Sequence, residues 1–195
     1  RVVDGGKVVA SLQAGEVGPV HEETTRNVHA QQLVAVEGQT DVLTMGLPYI
    51  CPYNVNSVMN PILVMSLGLG YFFNLYRGKP LVREGGVLIM THPTPWEFHP
   101  VHHPSYIDFF EQILSETTDP VEVEKFERAF AEDEWYRHLY RTSYAYHGVH
   151  PFYMWYWGSH ALQHLGGVII VGGDVKAVRR LGFKPASTLP DAFEM

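Results

Sequence analysis

Residues 85–91 read GGVLIMT: two glycines, then four apolar side chains in succession before Thr91. A strand with one wet face would alternate apolar and polar residues, and a helix would need a longer run. A short unbroken apolar run behind a Gly-Gly break therefore reads as a strand buried on both faces, the pattern of parallel sheets. DVLTMG (41–46) and GGVIIVGG (166–173) repeat it. Helical periodicity lies between these runs. Residues 56–76 carry Val58, Ile62, Met65 and Leu69 on one face, and PSYIDFFEQILSE (104–116) follows the second run. DPVEVEKFERAFAEDEWYRHLYRTSYAY (119–146) opens with Asp119 as N-cap and Pro120 at the first helical position, and a last segment covers 152–165. Strands alternating with helices predict an α/β fold: an open, mainly parallel, Rossmann-like sheet on residues 42–45, 87–91 and 168–171, with helices on both faces.

The first forty residues have a different character. VV, a DGG turn and KVVASL suggest a hairpin over residues 1–12. GEVGPVHEETTRNVHAQQ (15–32) reads as a helix with Glu22 and Glu23 near its start, and LVAVE (33–37) as a short strand. The sharpest seam lies at Gly38–Thr40: residues 1–40, too few to hold a core of their own, are expected as a tail of a neighbouring domain or an interdomain segment, and 41–195 as the α/β domain.

Composition narrows the function classes. The chain has 195 residues, 46% of them hydrophobic, with a formal charge of -7 and a pI near 5.8. That balance argues against a nucleic-acid surface. The single cysteine, Cys51, rules out an internal disulfide or a thiolate cage and suits a cytoplasmic location. The longest apolar stretch, PILVMSLGLGYFFNLY (61–76), falls short of the about 20 residues that span a bilayer. No apolar leader opens the chain, and the start at Arg1 suggests a piece of a longer protein.

Ligands of open α/β sheets bind beyond the carboxyl ends of the strands, which singles out the loops there. THPTPWEFHPVHHP (91–104) holds His92, His99, His102 and His103, with Glu97 the one carboxylate near them. It could be a metal site, a ligand-facing loop or an ordinary polar loop anchored by Trp96 and Phe98. GLPYICPYNVNSVMNP (46–61) gathers the uncharged hydrogen-bonders Tyr49, Tyr53, Asn54, Asn56 and Ser57. Asn56 or Ser57 is expected to cap the following helix, whose freed amides could attract an anion. VGGDVKAVRR (171–180) reads as strand, Gly-Gly turn, Asp cap and helix, without the G-x-G-x-x-G of a dinucleotide turn. YAYHGVHPFYMWYWGSH (144–160) is either a packing patch between helices or a stacking wall over a flat ligand.

Four segments in order resemble the C-terminal part of the lactate racemase family: AGEVGPVHEE (14–23) with His21, DVLTMGLP (41–48), REGGVLIM (83–90), and MWYWGSHALQHLGGVIIVGGD (154–174) with Trp155. The resemblance implies a racemase or epimerase of 2-hydroxy acids or related sugar acids that works by hydride transfer on a nickel-pincer nucleotide. It places the catalytic histidines, the nickel ligand and the cofactor-tethering Lys on a missing N-terminal domain, so this chain alone is expected to be inactive. It assigns Tyr53, Asn56, Ser57, His99 and Trp155 to the cofactor- or substrate-facing edge, and makes the His-rich loop a rim toward the missing domain. Met59 stands where the family's Lys would pair with an anion, a departure that puts lactate in doubt. A non-catalytic ligand-binding or interaction domain on the same fold is the alternative. An independent metalloprotein using His92, His99, His102 and His103 is a third reading.

Overall fold

A computed structural model describes residues 9, 11–54 and 56–195. The chain divides into two compact units, Arg1–Glu37 and Gly38–Met195. In the first, helix α1 spans Val17–Gln32 and buries none of its residues. The hairpin expected over 1–12 falls outside the described residues. LVAVE does not form a strand: Leu33, Val34 and Val36 are exposed, and among the described residues no strand pairs with them. Apolar content alone cannot make a strand without a ladder to join.

The second unit is built on four strands: β1 Thr40–Gly46, β2 Val82–Thr91, β3 Gly167–Val171 and β4 Lys184–Ala186. They lie in the order β1-β2-β3-β4, and every pair is parallel. The three apolar runs are thus the three long strands. Leu88, Met90, Val168 and Ile170 face the main core; Ile89 and Ile169 face the other side with Ala186 and Ala192. Both faces of β2 and β3 are therefore covered, as their unbroken apolar runs require.

Helices lie on both faces, but unequally. Because each strand adds to the same side of its predecessor, right-handed crossovers put all connecting helices on one face. That layer comprises α2 (Pro61–Met65), α3 (Pro104–Asp108), α4 (Leu114–Glu116), α5 (Pro120–Glu132), α6 (Glu134–Thr142), α7 (His150–Leu162) and α8 (Val175–Arg180). On the opposite face, α9 (Leu189–Phe193) contributes Ala192. Among the described residues no helix is long and apolar enough to cross a membrane.

The helices depart from the periodicity in three ways: a late start, π-helical widening and a break. The helix expected over 56–76 begins at Pro61, because Asn60 is its N-cap and accepts from the Leu63 amide at 3.1 Å; Asn56 and Ser57 are not caps. It continues as a π-helical segment, Ser66–Tyr71, and the helix after Pro104 widens in the same way over Phe109–Ile113. The segment 119–146 starts as expected, with Asp119 accepting from Val121 at 2.9 Å, but it breaks at Asp133. Asp133 turns its side chain onto the Tyr136 amide at 2.9 Å and starts α6. A capping carboxylate competes with the helix it interrupts.

The entry to β3 is limited by backbone contact. The Gly166 amide donates to Gly86 O at 2.8 Å, and a Cβ on Gly166 would lie 2.2 Å from Gly85 O. At Gly167 an added Cβ meets nothing within 4 Å. Gly166→Ala should therefore lose about 1–3 kcal/mol by overpacking, with Gly167→Ala within about 0.5 kcal/mol of the parent. Denaturant unfolding of the two variants makes the comparison.

Candidate functional site

Parallel strands release their outgoing loops at one edge, and here the loops after β1, β2 and β3 meet. A recess of about 340 Å³ opens there, lined by Leu47, Tyr49, Thr91, His92, Pro93, Val171 and Gly172. The residue that gives it chemistry is His92, 4% exposed, in the first position after β2. Its backbone amide donates to Val171 O at 3.3 Å, and the Asp174 amide donates to Pro93 O at 2.8 Å, so the turn is tied to the end of β3 and the start of α8. Thr94 holds a left-handed φ of 41° in a fully buried position. This uncommon geometry brings the Thr94 amide within 2.9 Å of His92 Nδ1.

That bond sets the state of the imidazole. Nδ1 accepts the hydrogen bond from the Thr94 amide, so it carries no hydrogen of its own, and the neutral ring bears its hydrogen on Nε2. Burial pushes the pKa of His92 down to about 4, so the ring is neutral near pH 7. Nε2 is buried and has no partner among the described residues. The exposed Tyr49 ring lies 5.3 Å away. A fixed neutral N–H donor at the end of a parallel sheet can hold a hydroxyl or carbonyl oxygen. It is poorly placed to accept a proton, because its one free lone pair is already used.

A second cluster lies where the loop after β1 meets the His-rich loop and the start of α7. His103, fully buried, donates from Nε2 to Tyr53 O at 2.8 Å and stacks on Tyr146 at 5.4 Å with an 8° interplanar angle. Its Nδ1 is buried without a partner among the described residues. Tyr106 OH and His150 Nδ1 share a 2.5 Å hydrogen bond, and Tyr53 OH lies 2.9 Å from Tyr71 OH. Burial lowers the pKa of both His103 and His150 to about 4 and raises that of Tyr106. Burial likewise pushes up the nearby Cys51 thiol, leaving it protonated. The sequence reading missed Tyr106, Tyr146 and His150 as members of this group. For Tyr146 and His150 the one sequence signal was the aromatic and His density of residues 144–150, and Tyr106, inside the helix expected over 104–116, had none of its own.

The expected site residues separate accordingly. Tyr53 and the His-rich loop do come together, through the His103–Tyr53 bond. Asn56 is exposed with φ 56°, and Ser57 is half-buried with its Oγ unpartnered among the described residues. The buried Asn54 organises this loop instead, accepting from the Cys51 amide and donating to the carbonyls of Tyr49 and Ser57. The start of α2 is buried, and its Leu63 amide is taken by Asn60, so it offers no anion site. Met59 is 3% exposed and packs in the core.

Trp155 corrects an expectation. It is fully buried in α7, with its ring 6.2 Å from Phe109 and its Nε1 donating to Thr118 O at 3.2 Å. No face is left for a cofactor to stack on. The aromatic stretch of α7 is thus a packing patch at Trp155, although Tyr153 and Trp157 remain partly exposed.

The four histidines do not converge either. His99 Nδ1 accepts from the His102 amide at 3.1 Å and the two rings stack at 4.1 Å, while His92 and His103 are committed as described. Among the described residues no group of three or more His, Cys, Asp or Glu side chains is placed to hold a metal ion. Trp96 and Phe98 anchor the loop on Phe110, at 4.9 and 5.3 Å. No protein-family model matches the chain, and no curated protein matches it.

Two outcomes follow. Trp155→Ala should lose about 3–5 kcal/mol in thermal or denaturant unfolding, the range for deleting a large buried aromatic. His92, His103 and His150 are held neutral in the fold and titrate near their usual value of about 6.5 when unfolded. Their folded pKa values lie lower, so the unfolded chain binds protons first as pH falls. Stability should be full above about pH 6.5 and fall progressively between about 6.5 and 4. Replacing His103 by Phe should flatten that slope relative to the parent in melting curves taken across the window.

Proposed function

We propose that this chain is the C-terminal α/β domain of a cytoplasmic racemase or epimerase resembling the lactate racemases, and that its recess receives a 2-hydroxy acid or sugar acid. The observation that carries the reading is the neutral, partnerless Nε2–H of His92 at the carboxyl edge of the sheet. In such an enzyme a nickel-pincer nucleotide would supply hydride transfer at the carbinol carbon. The recess does not suit the nucleotide itself. It has no Lys or Arg to meet a phosphate, and no metal-holding group is present among the described residues. Cofactor, nickel ligand and proton-accepting histidines would therefore belong to an N-terminal domain, and no chemical step is assigned to this chain.

What this chain would contribute is orientation. A hydroxyl and the carbonyl it becomes are both hydrogen-bond acceptors, so one fixed donor can hold the substrate oxygen throughout inversion. A neutral donor does so without competing for the proton, which a base on the other domain would take. Tyr49 would close one wall of the recess. A second reading, a ligand-binding domain without catalysis, is favoured by two placements: Trp155, expected to face a cofactor, is fully buried, and Met59, standing where the resemblance implies an anion-pairing Lys, packs in the core.

In the full-length protein, His92→Asn, which can keep an acceptor for the Thr94 amide but has no donor at the Nε2 position, should keep the melting temperature within a few degrees and lower the interconversion of 2-hydroxy acid stereoisomers by about tenfold or more, the worth of one well-placed hydrogen bond. Unchanged interconversion in this variant would remove His92 from the reading. A parent protein that binds the acid but never converts it would establish the ligand-binding alternative.

A further inference from the structure

A second, larger groove lies away from the recess and shares no lining residue with it. It measures about 620 Å³ and runs between α8 and the segment 114–118, with Trp96 at one end. Its charge comes from Lys176, Arg179 and Arg180, all of which line it. The spacing i, i+3, i+4 puts the three on one face of α8, where like charges repel. Among the described residues none of them forms an ion pair with a carboxylate, in a chain with 21 acidic and 14 basic residues.

The groove is partly built in advance. Arg180 donates to Glu111 O at 3.1 Å and lies 5.3 Å over the Trp96 ring, whose Nε1 donates to Glu111 Oε1 at 3.3 Å. The guanidinium is thereby fixed at one end of the groove. Lys176 and Arg179 are exposed, and their side chains have no hydrogen-bond partner among the described residues. Ser115, Thr117 and Thr118 form the opposite wall. Thr117 Oγ1 accepts from the Asp119 amide at 3.1 Å, which leaves its own hydrogen free to donate. Glu116 is the one acidic residue lining the groove.

We propose that this groove binds the phosphate group of a phosphorylated small molecule. A single carboxylate satisfies one guanidinium fork. A multiply charged tetrahedral anion presents enough oxygens for three cations and a hydroxyl at once. The volume suits a ligand larger than the phosphate itself. Glu116 sets a polarity, with the anionic end toward α8 and any neutral or donor-bearing remainder toward residue 116.

Inorganic pyrophosphate titrated into the 195-residue chain at low ionic strength, followed by amide NMR, tests the assignment. Saturable shifts at residues 115–118 and 176–180, with a Kd of about millimolar or tighter, are expected, while Tyr49 and His92 stay still. The double variant K176Q/R179Q, checked for an unchanged ligand-free melting temperature, should bind at least about tenfold more weakly. Malonate, a dicarboxylate, should also bind more weakly than pyrophosphate. Absence of saturation, equal binding of malonate, or undiminished binding by the double variant would each overturn the proposal.

Discussion

Right-handed crossing between parallel strands is the constraint on which this domain depends. Applied three times in the same direction, it places every connecting helix on one side of the sheet and every outgoing loop at one edge. The main core follows, since the connecting helices must share one face and pack on each other as well as on the strands. Gly158 and Gly70 allow that packing where α7 crosses the helix after Pro61: a Cβ on Gly158 would lie 2.2 Å from Met65 Sδ, and one on Gly70 would lie 3.1 Å from the Trp157 ring. The edge follows as well. His92 meets Val171 and Gly172 because β2 and β3 are neighbours and end together. A strand order that reversed would have split the loops around a central crevice; this one leaves an open recess at the strand ends.

The strands were legible because burial on both faces removes the polar alternation that would otherwise blur them. Residues 87–91 and 168–171 could scarcely be anything else. The fourth strand, Lys184–Ala186, was not legible, since three residues including Pro185 carry no period, and an edge position tolerates a proline. LVAVE failed in the opposite sense, having strand composition but no ladder. The break at Asp133 left a signal that periodicity outweighed. Asp is a capping residue wherever it falls, and only the local competition decides whether it stops a helix.

The site was legible in location and much less so in detail. Strand-end topology pointed to the loops at 46–61 and 91–104, and the recess and the Tyr53–His103 contact are there. What each side chain does was not readable, because it depends on partners far away in sequence or on backbone geometry. His92 is a poised donor because Thr94 adopts a left-handed φ, a conformation no residue pattern announced. His103 has the opposite arrangement, its Nε2 engaged and its Nδ1 free, although it stands in the same loop. Trp155 shows the limit from the other side. An aromatic in an aromatic-rich helix is ambiguous between wall and core until its neighbours are known, and Phe109 and Thr118 make it core.

The strand order also bears on how the domain comes together in time. No neighbouring pair in the sheet is joined by a hairpin, so no ladder can form from local sequence. Val42 must find Val87, and Val87 must find Gly167 across five intervening helices. The chain closes these distances only after much of the helical layer has collapsed, since the entropy of closing such loops is lost before the ladder repays it. The helices are thus both cover and scaffold. During assembly the apolar runs that make the strands recognisable are unpaired and exposed, and Gly85–Gly86 and Gly166–Gly167, flanking the two central ones, are poor strand formers that limit mispairing.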